Sequence, residues 1–219
     1  DIGVLVMVSS VVGNNNRRKL DVGEFRGFAL TDEYAPLVFI NARDFVTGRI
    51  FTLAHELAHL WTGTSGVSNP EPVHQFDPAL SAIERICNRA AAELLVPTEE
   101  LRRQWVGQED VLDGAQEMAS RFRVSVFVIL IRLRELGLAS LEEFRWAYGQ
   151  AREQVKETPE RSRQGGGDFY RTVQARNGLL LLREAGAALQ QGSLLYQEAS
   201  RLLNIRPQTL ENVLEQLIY

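Results

Sequence analysis

Cys87 is the lone cysteine among 219 residues, so no internal disulfide can form and a reducing compartment is the natural setting. A basic excess is missing too. Lys and Arg number 24 against 28 Asp and Glu, a net charge of −4 that excludes general coating of nucleic acid. Long apolar runs are also absent, which excludes a bilayer-spanning helix. The opening run, Ile2 to Val12, has no basic leader and meets Asn14-Asn15-Asn16-Arg17-Arg18-Lys19 where a signal peptide would carry a small-residue cleavage site. A buried strand fits it better, and a cytoplasmic protein is expected. An initial Met is lacking as well; the chain enters strand-like sequence at once, so further residues upstream are expected. What remains is an ordinary globular composition, 45% hydrophobic and 24% charged, enough for one large core or two smaller ones.

The expected fold class is α+β: a small twisted sheet with helices in residues 1–97, followed by all-α, helix-turn-helix-like regions. Runs rich in Val, Ile and Phe at Val4–Ser10, Phe25–Leu30 and Leu37–Asn41 read as strands. A helix is expected from near Asp44 or Thr47 to Trp61, a loop over Gly63–Pro78, and a second helix from Pro78 or Ser81 to Val96, ended by Pro97. Residues 98–155 read as helical, with Leu112, Ala115, Ala119 and Phe122 on one face, a break at Arg123-Val124, and Ser125 capping a further helix closed by Gly137. Residues 156–168 have linker composition, with Pro159 and Gly165-Gly166-Gly167. Residues 169–219 repeat the logic, breaking at Asn204-Ile205-Arg206 before Pro207 opens a last helix.

Histidine is scarce: of three, two stand in His55-Glu56-Leu57-Ala58-His59. Four residues apart on a helix, both imidazoles share a face and can reach one cation. Imidazole suits Zn²⁺, which catalytic sites hold with three protein ligands and an open position for water. Glu56 points beside the cation, placed to take a proton from that water and pass it to a leaving amine. The bland alternative is a pair of surface histidines on an amphipathic helix. It conflicts with the flanks, Phe51-Thr52-Leu53-Ala54 and Leu60-Trp61, where unpaired His and Glu would be costly to bury.

A third ligand must come from elsewhere, and His74 and Glu84 are the candidates. His74 lies in a loop with Pro and Asn that would hold a ligand loosely. Glu84 sits on the second predicted helix, a rigid support, and is favoured. Asn88, one turn on, is a candidate hydrogen-bonding support for the ligands, and Ala91 and Ala92 allow close helix approach. Glu93 is expected on a different, solvent-facing side.

On these residues the resemblance becomes specific. FTLAHELAHLW (Phe51 to Trp61) followed by IERICNRAAAELLVP (Ile83 to Pro97) resembles the ImmA/IrrE family of zinc metallo-endopeptidases, and EFRGFALTDEYAPLVFIN (Glu24 to Asn41) is similar to that family's upstream segment. The resemblance implies a gluzincin-like, zincin-type N-terminal domain, zinc on His55, His59 and Glu84, and cleavage of helix-turn-helix repressors. Many members carry a helix-turn-helix upstream, absent from this sequence, in keeping with the abrupt start. The helical remainder resembles long phage-type members. Ile86 stands where a further glutamate is often found, leaving Glu84 without a duplicate.

An extended peptide could add to a sheet edge, for which Arg26–Leu30 is the candidate strand; an ordinary core strand, with Phe25, Phe28 and Leu30 packed inward, is an equal reading of the same segment. Tyr34 and His74 are candidate donors to an oxyanion or contacts to substrate. The partner expected is a protein, a DNA-binding repressor or antitoxin-like molecule, drawn by the 8 basic and 13 acidic residues of the first hundred. DNA is a weaker expectation: Ser125–Leu136 offers Arg132 and Arg134, while Pro207–Ile218 carries Glu211 and Glu215, which repel phosphates. The alternative function is a non-proteolytic zinc-binding regulator or toxin–antitoxin component. Intact Glu56 speaks against it, since a structural zinc site has no need of a base.

Overall fold

A computed structural model describes residues 2–68, 81–106, 110–157 and 168–218. His74 and most of the segment read as a linker lie outside the described residues. The strands are β1 (Leu5–Ser9), β2 (Val11–Val12), β3 (Asn15–Lys19), β4 (Gly27–Leu30), β5 (Leu37–Asn41) and β6 (Gly66–Ser68). The helices are α1 (Val46–Trp61), α2 (Ala82–Leu95), α3 (Thr98–Gln104), α4 (Val111–Phe122), α5 (Val126–Glu135), α6 (Leu141–Glu157), α7 (Phe169–Asn177), α8 (Leu179–Gln190), α9 (Tyr196–Leu203) and α10 (Pro207–Ile218). The mixed α+β class expected from the sequence is the class observed. No helix among the described residues is long and apolar enough to cross a membrane.

The chain forms two compact units. The first comprises residues 1–44, 63–68 and the described part of 164–219. Its sheet has the order β1-β5-β4-β6, with β1 parallel to β5 and the other neighbours antiparallel. Period-two alternation decides the faces. Ala29, Val38 and Ile40 bury completely on one side, and Phe28 stacks on Phe39 on the other, ring centroids 5.0 Å apart. Arg26–Leu30 is therefore no edge strand. β4 lies between β5 and β6, and three residues from the supposed Gly63–Pro78 loop take the edge instead. Their Gly and Ser content hid a strand that long-range pairing creates. Asp44 does not start α1; its carboxylate accepts from Arg26 Nη1 at 2.9 and 3.0 Å.

Helices α7 and α8 lie against β1, and the junction between them shows how tightly. Gly178 has φ +75°, and a Cβ there would stand 2.5 Å from the Val6 carbonyl oxygen. Only glycine meets both demands. Val173, Leu182, Ala185, Leu203, Leu210 and Val213 close the core of these helices. Asn204, with φ 50°, makes the expected break between α9 and α10.

The second unit comprises residues 45–62 and the described part of 69–163. Helix α5 explains its organisation. VFVILIRL is apolar nearly all round, so the helix buries on every side, with Val128 to Leu133 all inaccessible. Arg123 in the left-handed conformation ends α4, and the Ser125 hydroxyl caps α5 by accepting from Val128 N–H, both as the sequence suggested. Burial corrects the picture of Arg132 as a phosphate-facing side chain. Its guanidinium donates to Glu93, to Thr98 Oγ1 at 2.8 Å, to the Val96 carbonyl at 3.3 Å and to Glu135 at 3.3 Å. Glu93 is exposed, as expected, and also accepts from Thr98 N–H and Oγ1–H, fastening the end of α2 to the start of α3.

Candidate metal centre

Helices α1 and α2 pack through small residues. Ala54 and Ala58 on α1, with Cys87, Ala91 and Ala92 on α2, are each at most 4% exposed, so the two backbones can approach closely. The i, i+4 spacing puts His55 and His59 on the buried face of α1, and their Nε2 atoms stand 3.0 Å apart. Ser81 sets the other half. Its hydroxyl accepts the Glu84 N–H at 3.2 Å and starts α2 there, which leaves Glu84 in the first turn, where a carboxylate is favoured by the helix dipole. Glu84 then reaches both imidazoles, Oε2 to His55 Nε2 at 3.2 Å and Oε1 to His59 Nε2 at 3.2 Å.

The charges respond to this convergence. Hydrogen bonds from His55 and His59 hold the Glu84 carboxyl down at about 2, against the opposing effect of burial. The hydrogen bond to Glu84 raises His59 above its ordinary value, opposed by burial and helped by the charges of Glu84 and Glu56. Both shifts say that the pocket favours positive charge between these three side chains.

A metal ion fits the donor set. His55, His59 and Glu84 form the one group of metal-ligating atoms found among the described residues, all within 4.8 Å of one another. Tetrahedral zinc at its usual bond lengths would space its ligand atoms about 3.3 Å apart. The three separations here, 3.0, 3.2 and 3.2 Å, lie close to that edge length. Two neutral imidazoles and one carboxylate are also the donors that zinc accepts when one position is left for water.

Glu56 is wholly buried beside His55, yet near enough for its charge to act on His59 and on Cys87. Asn88 is buried one turn beyond Glu84, and among the described residues it makes no hydrogen bond to the three converging side chains; its Oδ1 is unpartnered there. Thr52, which sequence reasoning passed over, is fully buried with its Oγ1 likewise unpartnered among the described residues. Its place three and four residues before His55 and Glu56, on the same helix face, was the signal that could have found it. Tyr34 stands 88% exposed between β4 and β5, in the first unit. Burial pushes the Cys87 thiol up to about 11, with the charge of Glu84 adding to the effect.

Comparison with known proteins adds one finding. The model of a peptidase family, described as the IrrE N-terminal-like domain, matches residues 1–134. No curated protein matches the chain.

Proposed function

Since the chain belongs to the IrrE N-terminal-like peptidase family, we propose that it is a zinc-dependent endopeptidase that cleaves a helix-turn-helix repressor or antitoxin-like partner and so releases genes from repression. The observation that carries this reading is the meeting of His55, His59 and Glu84 at 3.0 to 3.2 Å, with the buried carboxylate of Glu56 alongside. His55, His59 and Glu84 would hold the ion. When bound, zinc would supply an acidified water and a polarised scissile carbonyl.

The protein's own residues supply the rest. Glu56 accepts a proton from water and delivers it to the departing amine, the work of a general base that becomes a general acid. Glu84 brings a carboxylate from α2 to within 3.2 Å of both Nε2 atoms and would offset part of the charge of a bound ion. The hydrogen bonds of Ser81 and the small residues between α1 and α2 hold this geometry on two rigid elements, not on loops.

The test is incubation of the zinc-loaded protein with repressors encoded by neighbouring genes, looking for discrete fragments. Glu56→Gln should abolish cleavage while zinc remains bound. Full activity in that variant would defeat the mechanism. Tight partner binding, without cleavage and indifferent to His55 or Glu56 substitution, would favour a non-proteolytic regulator.

A further inference from the structure

The hairpin β2–β3 belongs to the first unit, and its chemistry is unlike that of the rest of the chain. Gly13 and Asn14 both take positive φ, 54° and 62°, the two-residue turn that matches the twist of a hairpin. Val12 pairs with Asn15, but the next pair is Val11 with Lys19, so the register jumps and leaves Asn16, Arg17 and Arg18 outside the pairing. Every residue of β3, Asn15-Asn16-Arg17-Arg18-Lys19, is exposed. The tip is fastened to the helices of the same unit: Asn14 Nδ2–H donates to the Asn204 carbonyl at 3.2 Å, at the α9–α10 break. Arg201 and Arg206, both exposed, flank that break. The side chains of Arg17, Arg18, Lys19, Arg201 and Arg206 have no ion-pair or hydrogen-bond partner among the described residues.

A fold with a net charge of −4 places three consecutive cations on an exposed strand and two more beside the turn that holds its hairpin. Packing does not require them, since no residue of β3 is buried. We propose that this hairpin, with Arg201 and Arg206, is a docking surface for the phosphate backbone of duplex nucleic acid. Two features favour a duplex over an acidic protein. A two-stranded ribbon is one of the few elements narrow enough to enter a major groove. The strand also sets two amides, Asn15 and Asn16, before three cations, and Asn, Arg and Lys are side chains that donate to phosphate oxygens. Glu211 and Glu215 lie further along α10, so the contact runs through the ribbon and the α9–α10 turn while the rest of α10 faces away from phosphates. The whole-chain charge excludes coating of a polyanion; a local contact of five cations is compatible with it.

Peptidase chemistry is not involved, so the full chain serves directly. Fluorescence anisotropy with a labelled random-sequence duplex, read across a salt series, should show binding that weakens steeply as salt rises. Replacing Arg17, Arg18 and Lys19 together by Ala should weaken binding at least tenfold at low salt and reduce the slope of log affinity against log salt by about 3, close to one for each phosphate left without its cation. Should the triple variant fold poorly by circular dichroism, the single changes Arg17→Ala, Arg18→Ala and Arg206→Ala each serve, with a slope reduction of about 1. Absence of binding at low salt, or binding and slope unchanged in these variants, would overturn the proposal. So would poly-glutamate that competes as well as DNA per charge, which would identify an acidic protein as the partner.

Discussion

The Nε2 atoms of His55 and His59 face each other across 3.0 Å. Two imidazole lone pairs at that distance repel unless something positive lies between them, and Glu84 approaches both from α2 to meet that positive charge. A proton can serve in part, but a divalent cation satisfies all three donors at once.

Zinc should therefore stabilise the fold measurably. At a free concentration a hundredfold above its dissociation constant the gain is about 2.7 kcal/mol, a rise in Tm of roughly 5–10 °C for a chain of this size. Thermal scans should lose this shift in His59→Ala and Glu84→Ala and retain it in Glu56→Gln. A shift that survives Glu84→Ala would show that the ion sits elsewhere.

Arg132 predicts a stability effect without a functional one. Its guanidinium joins α2, α3 and α5 through Glu93, Val96, Thr98 and Glu135, although Glu93 is half exposed and so softens the loss. Arg132→Ala should cost about 2 kcal/mol in urea denaturation, with zinc binding intact. Unchanged stability would mean that water replaces these bonds freely.

Cys87 should be inert in the folded protein. It is fully buried and its thiol is held up at about 11, leaving almost no thiolate near neutrality. Labelling by a thiol reagent at about pH 8 should follow the rate of unfolding. Rapid labelling under native conditions would show that the thiol is accessible in the folded protein.

Gly178→Ala should destabilise the first unit by roughly 3 kcal/mol, the sum of an unfavourable backbone conformation and an overlap with the Val6 carbonyl. Differential scanning calorimetry checks it, and a variant as stable as the parent would contradict the close approach.

Much of this was legible from local pattern. The apolar flanks of the i, i+4 histidines and the breaker Pro97 locate α1 and the end of α2 to within a residue or two, because apolar period and helix breakers act locally, while the start of α2 stayed open between Pro78 and Ser81. The convergence of Glu84 on the pair followed from its place on a helix rich in small residues. β6 was not legible: three residues in a Gly- and Ser-rich stretch become a strand only through pairing with β4. Nor was β3, whose polar, wholly exposed residues show no alternation. Arg132 misled because charge usually means surface, and the compensation for burying it lies 34 to 39 residues away at Thr98, Val96 and Glu93.

The seat of Gly178 on Val6 reaches beyond one substitution. The family match stops at residue 134, yet the first strand inside it is roofed by helices that begin at Phe169. Trimming the chain to the matched segment would uncover β1 and leave its apolar side wet. The tail is thus part of the body of this protein, and shortened versions should be expected to clump or to be digested before any catalysis could be assayed.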